Sequence, residues 1–311
     1  MYQSLPERLL TRPWRSAFAL AAILWLLPAH ATAWWNGAWQ QRLKATCGGL
    51  NAPASALSNF PCLLKLTAAN PPPSGQVYFD YSQAQAGGQD IRVIAADDST
   101  PLSYHLEQWD GGADDVCTTG CSQIHVKTDV ATTTGTDVYV YYDNPAAGDA
   151  QDAAGTFSPF TAAWLMNDPS SPLHDATGHG NNCADAVGHP AYGQSAKVDG
   201  GVSWSQAGSN CGPMAEVNGS AQLTIALWVK FHTLQSYGFL FDKTPPGGDS
   251  VALLEGGFVA GDGNNKDLKL AMYHGGAAFG KRERHQPADP GAGARHQNAF
   301  ALQILDHVFL S

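Results

Sequence analysis

The sequence predicts an all-β protein, and three observations carry that prediction. Short runs in which apolar and polar residues alternate recur at intervals of roughly ten residues. Clusters of Asp, Asn, Gly, Ser and Pro, residues that bond back to their own backbone or preset φ, separate those runs. No helical periodicity fills the intervals between them. At 311 residues the chain has room for two domains, and the expected architecture is two β-sandwiches in tandem.

The first 33 residues stand apart. Arg8, Arg12 and Arg15 form a basic start, Ala17 to Leu27 an apolar run, and Ala31-Thr32-Ala33 a small-x-small cleavage site. This is the pattern of a secretory signal peptide cut after Ala33. The run is shorter than the roughly 20 residues that a spanning helix needs, which weighs against an uncleaved anchor. The expected location is therefore periplasmic or secreted.

Export bears on the cysteines Cys47, Cys62, Cys117, Cys121, Cys183 and Cys211, all beyond the cut. An even number in an oxidising compartment points to disulfides. Six cysteines leave fifteen connectivities open; sequence proximity favours Cys47 with Cys62, Cys117 with Cys121 and Cys183 with Cys211. A zinc site on Cys117, Cys121 and His125 is the alternative, but a second ligand pair at the usual spacing is missing.

Cleavage takes the net charge from −10 to −12, because the lost segment carries three arginines and one glutamate. Up to Gly280 the remaining chain has only Arg42 and Arg92 as arginines. Such an acidic surface repels phosphate backbones, so nucleic acid is not an expected partner. A neutral ligand or a bound cation suits it better.

Taken in order, the chain first shows Trp34, Trp35 and Trp39. Aromatic clusters of this kind stack on sugar rings or plug the open end of a sandwich, and both readings stand. Leu43 to Leu66 reads as short strands, with Pro61 at a strand start where a missing N–H is tolerated. Val77 to Asp80 follows a Pro-rich loop. Gly88 to Trp109 reads as a β-hairpin: Ile91, Val93 and Ala95 alternate, Asp97-Asp98-Ser99-Thr100-Pro101 turns the chain, and Leu102, Tyr104 and Leu106 resume. Ile124 to Lys127 and Val138 to Tyr142 complete a first domain that closes near Asn144-Pro145, placing it at 34–150.

Several of these residues also carry a family likeness. Trp34-Trp35, Trp39, Arg42, Phe60-Pro61, Gly88-Gln89-Asp90-Ile91-Arg92, Pro101-Leu102, Glu107 and Tyr141-Tyr142-Asp143-Asn144-Pro145 resemble, in order, the domain of unknown function numbered 2341. Asp143 departs from the glycine more common there; Asp tolerates positive φ better than most residues, so the turn is expected to survive. The resemblance implies no activity. It implies an exported bacterial setting, at times the N-terminus of proton-channel subunits of the ExbB/TolQ/MotA type, and often a concanavalin-like or laminin-G-like companion.

Residues 158–280 resemble that companion, a jelly-roll sandwich. Ala163-Trp164-Leu165-Met166 reads as its first strand, Asp175-Ala176-Thr177-Gly178-His179-Gly180-Asn181-Asn182 as its Asp-x-Thr-Gly turn and Leu223 to Lys230 as its central strand. Gly238 to Phe241 and Leu268 to Met272 continue the rhythm. From Lys281 the texture changes and β alternation ends. Residues 281–311 are thus expected to be an atypical, disordered or truncated tail, with the second sandwich incomplete at its C-terminus.

Chemistry is harder to find. Glycoside hydrolysis needs two facing carboxylates. Glu107 and Asp110 lie three apart, on opposite faces of a strand, while Glu216 and Glu255 stand alone. Gly201-Val202-Ser203-Trp204-Ser205 lacks the second glycine of a nucleophile elbow, and no phosphate-binding loop occurs. His174, His179 and His189 near Asp175 and Asp185 follow no standard ligand spacing. Calcium is the candidate cofactor, with Asp262, Asn264 and Asp267 as hard oxygen ligands, although such residues also make ordinary turns.

The leading expectation is a non-catalytic exported recognition or adhesion module of a bacterial cell envelope, with a glycan or another surface polymer as partner and Trp34, Trp35 and Trp39 as candidate ligand-facing residues. The alternatives are the periplasmic part of an ExbB/TolQ-like transport assembly and a divergent polysaccharide-active enzyme.

Overall fold

The computed structural model describes residues 34–48, 53–109, 121–196, 198–217 and 224–229, together with strand segments at 239–243, 252–257, 267–274, 277–280 and 308–310. The chain divides into two units, residues 1–38 and 39–311. Of the first, 34–38 are described; there Asn36 Oδ1 accepts a hydrogen bond from the Ala38 amide at 2.9 Å.

The fold is all-β. Its first part is a sandwich of two sheets. One sheet has the order β1 (Gln41–Cys47), β7 (Thr136–Tyr142), β4 (Arg92–Ala95); the other has the order β3 (Val77–Tyr78), β2 (Leu57–Thr67), β6 (Cys121–Val130), β5 (Tyr104–Gln108). Every pairing is antiparallel except β2 with β3. The period-two pattern explains the packing: Val138 and Val140 of β7 meet Leu64 and Leu66 of β2 and Ile124 and Val126 of β6 in one buried core. Phe79, enclosed at 1% exposure, anchors an aromatic group with Tyr142 at 4.5 Å, Tyr81 at 4.8 Å and Trp109 at 5.5 Å between ring centroids. The disulfide Cys47–Cys62, with Cα atoms 5.8 Å apart, ties β1 in one sheet to β2 in the other.

The expected hairpin of Gly88 to Trp109 forms only at its turn. Asp97 Oδ1 accepts from the amides of Ser99 and Thr100, and the chain doubles back through Ala95 N to Thr100 O and Leu102 N to Val93 O, both 2.8 Å. The arms then part: β4 joins β7 and β5 joins β6 in the opposite sheet. Pro101, bridged to Ile94, brings no N–H to a ladder. Alternation records that Val93 and Tyr104 face a core; both sheets face the same one, so it does not say which sheet owns each arm.

Gly88 holds the approach to β4. Its φ is +68°, and a Cβ there would stand 2.8 Å from both Leu106 and Trp109 side chains, so glycine meets both a backbone and a space requirement.

After β7 a short helix, α1 (Ala153–Phe157), is capped by Asp152, whose carboxylate accepts from the Gly155 amide at 2.8 Å. The segment before it covers the edge of β5: Gln151 Oε1 accepts from Leu106 N and Asp152 N donates to Tyr104 O. An edge strand is thereby closed to further pairing.

Beyond α1 the strands are short: β8 (Ala162–Trp164), β9 (Ala184–Val187), β10 (Ala191–Ser195), β11 (Gly200–Ser203), β12 (Gly208–Asn210) and β13 (Ile225–Ala226). β10 pairs with β11 and β9 with β12. The segments β14 (Phe239–Lys243), β15 (Ala252–Gly257), β16 (Asp267–His274) and β17 (Ala277–Gly280) form a meander. In the tail, β18 (Val308–Leu310) lies between β13 and β8. Trp164, Leu173, Met214 and Leu227 belong to one core here, Phe157, Ala163 and Leu165 to another. The disulfide Cys183–Cys211 closes the first.

Candidate functional site

The residues singled out from sequence do not gather in one place. Trp34 is 38% exposed and Trp35 partly so, whereas Trp39 is buried at 8%. The Trp39 indole N–H donates to Asp90 O at 2.6 Å, and the Arg92 guanidinium lies 5.2 Å above its ring. Asp262 and Asn264 lie outside the described residues, as does Cys117; Asp267 begins β16 and Glu255 lies in β15. Cys121 is disulfide-bonded. His174 pairs with Asp168 at the surface. Among the described residues, no group of three His, Cys, Asp or Glu is placed to hold a metal ion, and no helix is long and apolar enough to cross a membrane.

The motif aspartates turn out to hold turns together. Asp90 is fully buried. Its Oδ1 accepts from the Gln85 amide at 3.0 Å and its Oδ2 from the amides of Asp143 and Asn144 at 2.8 and 3.2 Å. The Gly-Gln-Asp and Tyr-Asp-Asn-Pro motifs, some fifty residues apart, are thus two halves of one joint, and Asp143 sits in it at φ +65°. Asp175 repeats the device: Oδ1 accepts from Ala163 N, Thr177 N and Thr177 Oγ1, and Oδ2 from Asn181 N. A buried carboxylate supplied with several N–H donors is satisfied without a cation.

Among the described residues, the arginines Arg42 and Arg92 are engaged as well. Arg42 pairs with Asp98, which accepts from Tyr141 Oη at 2.5 Å. Arg92 donates to Gln89 O and Gly148 O at 3.0 and 2.7 Å. Both serve the fold.

Two polar clusters remain. The first lies on the outer face of the four-stranded sheet, where His105 stands opposite His125, and Gln108 opposite Gln123. Phe157 of α1 roofs it, with ring centroids 5.7 Å from His105 and 5.2 Å from His125. The Glu107 side chain is fully enclosed, its Oε2 3.9 Å from His105 Nε2. Gln123 is 2% exposed and its amide makes no hydrogen bond. Burial pushes the His105 imidazole below its ordinary value, while the charges of Asp149 and Asp199 pull the other way. This cluster is largely buried, with the His105 side chain 18% exposed, and it holds a short helix against a sheet.

The second cluster is open. Trp204, in the turn after β11, is 42% exposed. Its Nε1 donates to Ser209 Oγ at 3.3 Å; Ser209 pairs across the β9–β12 ladder with Asp185; and Asp185 Oδ1 accepts from Tyr192 Oη at 2.5 Å. The Asp185 amide donates to Ser171 Oγ at 3.0 Å. Burial and the bond to Asp185 raise the Tyr192 phenol above its ordinary value, so it remains a proton donor there. Val187, 66% exposed, lies opposite Gly208 beside this network. Sequence reading passed over Trp204; its setting of Ser203, Ser205, Gln206, Gly208 and Ser209, polar on both sides, was the available sign of an exposed indole.

A family model described as "Domain of unknown function (DUF2341)" matches residues 87–163. The match takes in the Asp90 joint, β4 to β7 and α1, and it reaches past the expected boundary at 150 to the start of β8. No curated protein and no solved structure matches the chain.

Proposed function

We propose that this protein is an exported, non-catalytic recognition module of a bacterial cell envelope, binding a glycan or another envelope polymer. The single observation behind this reading is the open Trp204 cluster, an aromatic face held in place by hydrogen bonds on a disulfide-tied β scaffold. Such a scaffold positions loops rigidly, and function then resides in what the loops present. The disulfides Cys47–Cys62 and Cys183–Cys211 accord with an oxidising compartment. The net charge of −10 sets the surface against polyanions.

The test is a binding screen of oxidised, folded protein against an array of glycans and isolated envelope polymers. Saturable binding to one class of polymer is the expected result. A well-folded sample that binds nothing on the array overturns the reading.

A further inference from the structure

We propose that the surface around Trp204 is a carbohydrate subsite that takes a neutral hexose unit of a polysaccharide, with the indole as stacking face and Asp185 as acceptor for sugar hydroxyls. The inference rests on the recognition reading above and makes it specific.

The tryptophans differ in setting: Trp34 and Trp228 are exposed, at 38% and 46%, as Trp204 is. Trp39 and Trp164 are buried at 8% and 2%, and each donates its indole N–H to a backbone carbonyl, Asp90 O and Asn181 O. Those two are spent on the fold. Trp204 donates instead to a surface serine and leaves much of its ring in water. A lone exposed apolar side chain is ordinary, but this one is tethered at its polar edge. The tether continues through Ser209 and Asp185 to Tyr192. Fixing the ring before binding reduces the ordering cost of association.

The surroundings keep the ring accessible. Gly208, the first residue of β12, follows Trp204 by four residues, and a Cβ built there meets nothing within 4 Å. Gly193, next to Tyr192, has the same open space. A pyranose ring presents a C–H face that packs on an aromatic plane and hydroxyls at its rim that donate to acceptors. Asp185 offers the acceptor: among the described residues its Oδ1 takes the Tyr192 hydroxyl, and Oδ2 is left for a ligand. Hydrogen bonds from hydroxyls to a carboxylate are of the stronger, charge-assisted kind. The same carboxylate, on a chain of net charge −10, disfavours uronic acids, sulfated sugars and phosphate-bearing polymers, which is why the unit is neutral.

The experiment is a titration of the full oxidised chain with soluble β-1,3-glucan, β-1,4-glucan, α-mannan and, as an acidic control, polygalacturonate. Binding is followed by calorimetry and by tryptophan fluorescence. The expected result is binding of a neutral polymer, weakened at least about tenfold by Trp204→Ala, less by Trp204→Tyr, and severalfold by Asp185→Asn. Thermal melts identical to wild type establish that the variants fold. Neutral-polymer binding that survives Trp204→Ala unchanged overturns this subsite and leaves the recognition reading standing. Binding confined to the acidic polymer or to another class on the array does the same. Binding to nothing at all overturns both.

Discussion

The sandwich of β1 to β7 and the region from β8 to β13 use the same device. In each, a buried aspartate gathers backbone amides and fixes a turn: Asp90 from Gln85, Asp143 and Asn144, Asp175 from Ala163, Thr177 and Asn181. In each, a disulfide ties separate segments. What differs is the size of the core and what is left outside it. The sandwich packs Leu64, Leu66, Ile124, Val126, Val138 and Val140 into one continuous interior, and even its outward polar patch is roofed by Phe157. The later region has short strands over small cores and leaves Trp204 and Val187 in solvent. The sandwich also leaves Leu63 and Tyr78 exposed, so the clearest difference between the regions is the continuity of the core.

The largest test of this contrast is to remove each aspartate. Asp90→Ala strands one buried amide, that of Asn144, and two partly buried ones, those of Gln85 and Asp143, at up to about 1 to 3 kcal/mol for the buried one, and is expected to unfold the sandwich as a unit. Asp175→Ala is expected to loosen only the later strands, so that amide hydrogen exchange still protects β2, β6 and β7. Loss of protection across the whole chain in both variants would end the distinction.

Next come the disulfides. Replacing Cys47 and Cys62 by serine opens a loop with a sequence separation of 15, for which the chain-entropy model expects a loss of about 3 kcal/mol. The Cys183–Cys211 pair, separated by 28, closes a longer loop over a smaller core. Its removal is expected to leave the melting of the sandwich near wild type, read by near-ultraviolet circular dichroism.

A smaller effect follows pH. The His105 imidazole is held below its ordinary value of 6.5, mainly by burial. A depressed histidine contributes stability that is fully present above the unfolded value and is lost as pH falls through the folded one. Melting temperature is therefore expected to decline as pH is lowered from about 7 to about 5, and His105→Gln to flatten part of that slope. An unchanged slope in the variant would remove the histidine from the account. The smallest effect belongs to the surface: Trp204→Ala is expected to shift stability by less than about 0.5 kcal/mol, as surface substitutions usually do. A larger loss would mean that the indole serves the fold after all.

Much of this was legible in the residues. Short β-like runs at Leu63 to Leu66 and Val138 to Tyr142 and the alternation at Ile124 to Lys127 located β2, β7 and β6. Asp97 to Pro101 announced its turn through side chains that bond to their own backbone. The proximity pairing of Cys47 with Cys62 and of Cys183 with Cys211 is the pairing found. These are local matters, and local chemistry decides them.

The rest needed the third dimension. Whether the arm after Pro101 pairs with β4 or crosses to β6 is settled by which sheet edge is open, and that edge is made by Cys121 to Val130, more than ten residues further along. Asp90 reads only as one residue of a family motif until the turn at Asp143 closes on it. Trp39 and Trp204 are the same residue type in comparably polar stretches; one is buried and the other exposed because only tertiary contacts decide which side of an indole meets water. The sequence by itself determined the strands, the turns and the bridges, whose causes lie within a few residues or in a simple count. Tertiary structure alone decided which aspartates are joints and which aromatic rings are exposed, since burial is a property of the assembled chain.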